Sequence, residues 1–202
     1  TATQLANSKY KSAQISMTLT LGRAEPLITF DDITAVYGNP DFDLSATSSS
    51  TGAAFSYTID DSSIATVSGT TVTIQGTGST IVTASQVSDT NYLAATATMT
   101  LTVNPADIAT ASVASIPNQT YTGSAITVSP KATFNSTTLS ETTDYTLSYA
   151  NNTDVGTANI LFTGTGNFTG TKTVPFTIVK AQPLITFDDI TAVYGNPDFD
   201  LS

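Results

Sequence analysis

Residues 26–45 read PLITFDDITAVYGNPDFDLS, and residues 183–202 repeat that block without a substitution, 183 − 26 = 157 positions further on. A repeat this intact is a tandem duplication. It constrains the architecture before any single residue is interpreted, because each copy has to be the same part of the same structural unit. A second, looser relation runs through the chain. Residues 1–24 align without gaps on residues 83–106, an offset of 82, with Gln4 on Gln86, Tyr10 on Tyr92, and Met17 to Thr20 on Met99 to Thr102. The two relations divide the chain into four pieces. Residues 1–24 read as the last part of one unit, 25–105 as a complete unit, 106–180 as a second, and 181–202 as the first part of a further one. The chain therefore reads as a window on a longer periodic array. On this reading the two outer pieces cannot close a sandwich together, because neither carries an equivalent of residues 47–82.

Within the two middle pieces the apolar residues alternate with polar ones in short runs, the period of a half-buried strand. In the first unit the runs are 27–30, 33–36, 42–46, 55–59, 64–67, 72–74, 80–84 and 97–103. In the second they are 111–114, 119–121, 125–128, 132–134, 145–149, 158–162 and 174–179. Turn chemistry separates them, as at Gly38-Asn39-Pro40 and Ser68-Gly69. No stretch keeps a helical period long enough for a helix. Tyr10, Tyr92 and Phe168 each stand eleven residues before an apolar strand end (21 − 10, 103 − 92 and 179 − 168, at Leu21, Val103 and Val179). One spacing used three times implies one fold used three times. In the opening piece, Ile15, Met17, Leu19 and Leu21 should alternate inward as that fold's last strand.

Polarity comes from Ser and Thr rather than from charge, which is only 11% of the chain. Threonine suits the wet face of a pleated sheet, so an all-β chain follows. The net charge of −10 argues against nucleic acid and anionic membrane surfaces, which need clustered Lys and Arg. No apolar run is long enough to insert in a membrane.

Candidate chemistry is sparse. Without His or Cys, Ser-His and Cys-His nucleophile pairs and the common zinc sites cannot be assembled. The carboxylates Asp31-Asp32, Asp41 with Asp43, and Asp60-Asp61 lie beside turn signals and read as solvated turn or capping residues. Calcium bound near a domain junction is the alternative reading, since it takes hard oxygen ligands and residues 24–105 hold eight acids and no Lys or Arg. The glycine-rich run 164–170 lacks the spacing of a phosphate loop and reads as a hairpin loop. Tyr92 and Phe168 read as core plugs rather than sugar-stacking platforms. Four Asn-x-Ser/Thr triplets, at Asn118, Asn135, Asn151 and Asn167, are what a Thr-rich chain produces.

The run DSSIATVSGTTVTIQGTGSTIVTAS, residues 61–85, resembles the bacterial immunoglobulin-like repeats, with their S-[IV]-A-T-V segment, glycine turn and V-T-[IV] strand. ITFDDITAVYGNPDFDLSA is similar to the MBG-type members of that group. The 106–180 unit, with IPNQTYTGSAITVSP and GTGNFTGTKTVPFTI, resembles another immunoglobulin-like module of large surface proteins. The resemblance implies tandem immunoglobulin-like β-sandwiches in an extended rod. It further implies a non-catalytic stalk of a secreted bacterial surface adhesin or filament, with no cofactor. Expected partners are neighbouring repeats, other surface fibres or glycans. A glycan-binding module and an accessory domain of an extracellular enzyme are the alternatives.

Overall fold

The computed structural model describes residues 1–186 and residue 194. The second copy of the duplicated block, expected to be the first part of a further unit, lies almost wholly outside the described residues.

Each middle unit is built on a long last strand that lies inside its sheet rather than at the edge. In the first unit this is Ala95–Asn104, where Met99, Leu101 and Val103 are buried while the threonines between them face outward. On one side it pairs antiparallel with Gly78–Gln86, Leu101 facing Thr80 and Val103 facing Gly78. On the other it pairs parallel with the early strand Ile33–Val36, Leu101 facing Ile33 and Val103 facing Ala35. Phe55–Ile59 completes that sheet beyond Gly78–Gln86. The opposing layer is Phe42–Asp43, Thr71–Ile74 and Ala65–Ser68, with Ile28–Thr29 paired to Thr47–Ser48 beside it. Leu44, Ile64, Ala65, Val72, Val82, Met99, Leu101 and Val103 fill the space between the layers.

The second unit repeats this order with different residues. Thr171–Val179 is the internal last strand, flanked by Gln119–Thr120 in parallel and Gly156–Gly164 antiparallel, with Tyr145–Ala150 outside. Its second layer is Ser112–Val113, Ala132–Phe134 and Thr137–Thr138. Ile108, Ile160, Phe162 and Ile178 are its largest fully buried side chains. Two layers, one internal last strand and one parallel partner recur, so the chain is a tandem of immunoglobulin-like β-sandwiches.

Two sequence expectations need correction. Residues 125–128 form no strand. Ile126 and Val128 do pack on the core, but no ladder holds the segment: Ile126 N donates to Asn152 O at 2.8 Å, while Asn152 Nδ2 donates to Ile126 O and Tyr149 Oη donates to Val128 O, both at 2.8 Å. Pro130, which has no N–H, follows directly. In the opening piece Ile15, Met17, Leu19 and Leu21 do not turn inward and are 73% to 86% exposed. Among the described residues no early strand lies beside them, so their alternation has nothing to cover it.

Even so, residues 2–15 reproduce the geometry of their aligned partners. Ala2, Thr3 and Gln4 face Ile15, Gln14 and Ala13, just as Ala84, Ser85 and Gln86 face Ala97, Thr96 and Ala95. The loop tip is shared too. Asn7 Oδ1 accepts from the backbone of Lys9 and Tyr10, and Asp89 Oδ1 accepts from Asn91 and Tyr92.

Leu101 has no exposed surface, so Leu101→Ala should destabilise the first unit by about 2–5 kcal/mol. Urea unfolding followed by tyrosine fluorescence measures it; an unchanged midpoint would place Leu101 outside the core.

Candidate functional site at the joint

The acidic pairs named from the sequence are spent on local backbone and hydroxyl groups. Asp32 Oδ1 accepts from Thr100 N at 2.6 Å, tying the 31–32 turn to the last strand. Asp43 Oδ1 accepts from the hydroxyls of Thr70 and Thr71. Asp61 Oδ1 accepts from Ser63 N and Ser63 Oγ, and these bonds hold its carboxyl below the ordinary value of 3.8. Asp31, Asp41 and Asp60 sit beside these residues without converging on them. Among the described residues no three metal-ligating side chains gather at one point.

Asp89 and Gln86 form a polar network that the sequence did not single out. Gln86 is buried, yet its Nε2 donates to Ala53 O at 2.7 Å and Ser50 O at 3.2 Å, and its Oε1 accepts from Ser48 Oγ at 2.7 Å. Asp89 Oδ2 accepts from Ser50 Oγ at 2.6 Å. The network pins the 48–53 loop against the end of strand Gly78–Gln86. The only available signal was the recurrence of Gln4 as Gln86 in an otherwise drifting alignment. The bond from Ser50, then those from Asn91 and Tyr92, hold Asp89 below 3.8.

Phe30, Tyr57 and Phe55 group within the first unit, at 5.6 and 6.1 Å between centroids, and a second aromatic group forms where the first unit meets the second. Tyr37, in the turn after strand Ile33–Val36, packs on both cores. Its ring lies 5.6 Å from Phe168, edge-on at 81°, and 6.4 Å from Phe134, near-parallel at 15°. Phe134 and Phe168 close the triangle at 5.1 Å and 88°. Edge-to-face and offset-stacked geometries of this kind are the attractive ones for aromatic rings. Phe168 is 3% exposed, which fits a core plug. Tyr92 is only half-buried and instead joins Ala24 in a parallel bridge, as Phe168 joins Ala106.

Two asparagines bracket the triangle. Asn135 Nδ2 donates to Gly38 O at 2.8 Å. Asn167 Oδ1 accepts from Thr77 N at 2.9 Å and Thr77 Oγ1 at 3.1 Å. Both belong to Asn-x-Ser/Thr triplets, but their amides are engaged in the joint. Asn135 and Ser136 form the two-residue turn between Ala132–Phe134 and Thr137–Thr138, with φ of 46° and 66°. Positive φ at both central positions is what the tightest hairpin turns require. Beside the rings lies a cleft of about 180 Å³ lined by Tyr37, Ile74, Asn135, Leu139 and Asp144 among others. The run 164–170 is a hairpin loop in which Phe168–Thr169 makes a short parallel pair with Ala106–Asp107.

No protein-family model matches the chain. No curated protein matches it either. Among solved structures it is similar to three immunoglobulin domains of titin in an E-to-A variant, with 12% identity, a TM-score of 0.40, and coverage of 79% of this chain and 67% of that one. A second titin structure is similar at 9% identity and a TM-score of 0.37, over 78% of this chain and 99% of that one. A titin immunoglobulin tandem is similar at 10% identity and a TM-score of 0.27, over 80% and 99%. The fold assignment rests on the sheet order and the parallel strand pairs described above.

Phe168→Ala empties a buried aromatic site and should cost about 3 kcal/mol or more. A thermal melt that did not move would show the ring to be dispensable. A pH dependence follows from Asp61 and Asp89. Their folded values are depressed, so the stability they contribute is present above 3.8 and is lost as pH falls through the lower folded values. Melts between about pH 5 and about pH 2 should fall across that window. Asp89→Asn should shrink the fall, and an unchanged acid limb would remove Asp89 from the explanation.

Proposed function

We propose that this chain is a non-catalytic structural stalk, a run of spacer units in a large secreted bacterial surface adhesin or filament. The observation that carries this reading is the connection between the units. Each has its own core, and strand Ala95–Asn104 leads into strand Ala106–Asp107 with Pro105 alone between them. A last strand of ten residues at roughly 3.3 Å per residue gives each unit about 3 nm of length, and end-to-end joining adds these lengths. The Cys-free, Thr-rich, acidic composition and the resemblance of residues 61–85 to bacterial immunoglobulin-like repeats support the surface setting. Neighbouring repeats of the same polypeptide are the natural partners, and other surface fibres or glycans are further ones.

The glycan-binding alternative needs aromatic faces open to solvent beside a groove. The aromatic group at the joint faces inward between two units, and the cleft beside it, about 180 Å³, is smaller than the roughly 300–1,000 Å³ of ordinary ligand pockets. Single-molecule stretching tests the stalk reading. Two discrete unfolding events should appear, each releasing about 25 nm of chain, since an extended residue spans at most about 3.6 Å. Extension without discrete events would sink it. So would saturable binding of a glycan that displaces the Tyr37 ring.

A further inference from the structure

We infer that the joint between the two units is a lock: the turn carrying Tyr37 and Gly38 is a knob seated in a socket of the second unit, holding residues 25–180 as one rigid body with a set angle. This rests on the stalk reading and specifies how the stalk is stiffened.

The linker offers almost no freedom. Asn104 O accepts from Tyr37 N at 2.8 Å, which ends the first unit's ladder, and Ala106 N donates to Asn167 O at 3.0 Å, which begins the second's. Only Pro105 separates the two anchored groups, and its ring holds φ near −65°. A swivel at that point would break a ladder bond on one side or the other.

The socket reads the shape of the turn. Gly38 has φ of 84°, and a Cβ there would run into the ring of Phe134 and come within 2.9 Å of Asn135 Nδ2. Glycine is thus required both by the left-handed backbone and by the close approach of the second unit. The second unit has a related turn of its own, where Tyr121 N donates to Val179 O at 2.9 Å. There Gly123 has φ of 80°, and an added Cβ would meet nothing within 4 Å among the described residues. The backbone shape therefore belongs to the turn, and at Gly38 the second unit closes tightly on it.

Three contacts at separate points resist bending in different directions. The Tyr37 ring is gripped by Phe134 and Phe168. The Gly38 carbonyl is held by Asn135, and the Thr77 backbone and hydroxyl by Asn167, whose partners lie 97 and 90 residues away in sequence. The duplicated block carries the same Tyr-Gly-Asn at 194–196, so this knob recurs in the sequence at the period of the duplication.

The absence of native cysteine makes a distance measurement direct. Spin labels at Thr66→Cys and Ser148→Cys, both exposed strand positions, report the separation of the units by pulsed electron resonance on the full chain. A single narrow distance population is expected. Tyr37→Ala should at least double its width, as should the pair Asn135→Asp with Asn167→Ala, which removes the bonds and leaves both cores intact. Asn167→Asp keeps an acceptor for Thr77 and should stay narrow. Should Tyr37→Ala fail to fold, the asparagine pair decides alone. A broad distribution in the parent chain, or widths unmoved by the asparagine pair, overturns the lock. Either result leaves the stalk reading standing, because stretching tests that separately.

Discussion

The structure depends on the last strand of each unit lying inside its sheet. Ala95–Asn104 must satisfy its backbone on both sides, with Gly78–Gln86 along one edge and Ile33–Val36 along the other. Because it is internal, the apolar residues Met99, Leu101 and Val103 of its second half are covered and lie in the core. Because it is also last, the chain leaves the unit from the middle of its end rather than from a frayed edge. The next unit can then begin in line, with one proline between two bonded residues. Thr171–Val179 is likewise internal, between Gln119–Thr120 and Gly156–Gly164.

A parallel partner for that strand has a second effect. Ile33–Val36 runs in the same direction as Ala95–Asn104, so the turn that follows it emerges at the end where the chain passes to the next unit. Tyr37 and Gly38 are therefore delivered to the joint by the fold itself. The aromatic triangle with Phe134 and Phe168 is the result, and it lets one tyrosine pack on two interiors without merging them. The hydrogen bonds from Asn135 and to Asn167 fix the rest of the contact. This short interface joins neighbours while each keeps its own core.

Much of this was legible from alternation alone. The run at 97–103 is a strand because Ala97, Met99, Leu101 and Val103 repeat every second residue with threonine between them. The parallel between residues 1–24 and 83–106 extends to register and loop-tip hydrogen bonds. Period alone failed at 125–128, where Ile126 and Val128 are inward but one backbone bond and two side chains, rather than a ladder, hold the segment. It failed again at Ile15 to Leu21, since a stripe of apolar residues says which face wants burial and not whether a neighbour exists to bury it. The short pair Ala106–Asp107 with Phe168–Thr169 and the strand Thr137–Thr138 carry too few residues to show a period.

The sequence by itself determined that this chain is a tandem of all-β units with dry and wet strand faces, because side-chain alternation is a local property written in adjacent residues. It also excluded histidine and cysteine chemistry by composition. Only the tertiary structure decided that Tyr37, Phe134 and Phe168 meet, that Asn135 and Asn167 serve the joint, and that Gly38 cannot carry a side chain. Those contacts join positions some ninety residues or more apart, and no local pattern encodes which residues a folded chain brings together across that distance.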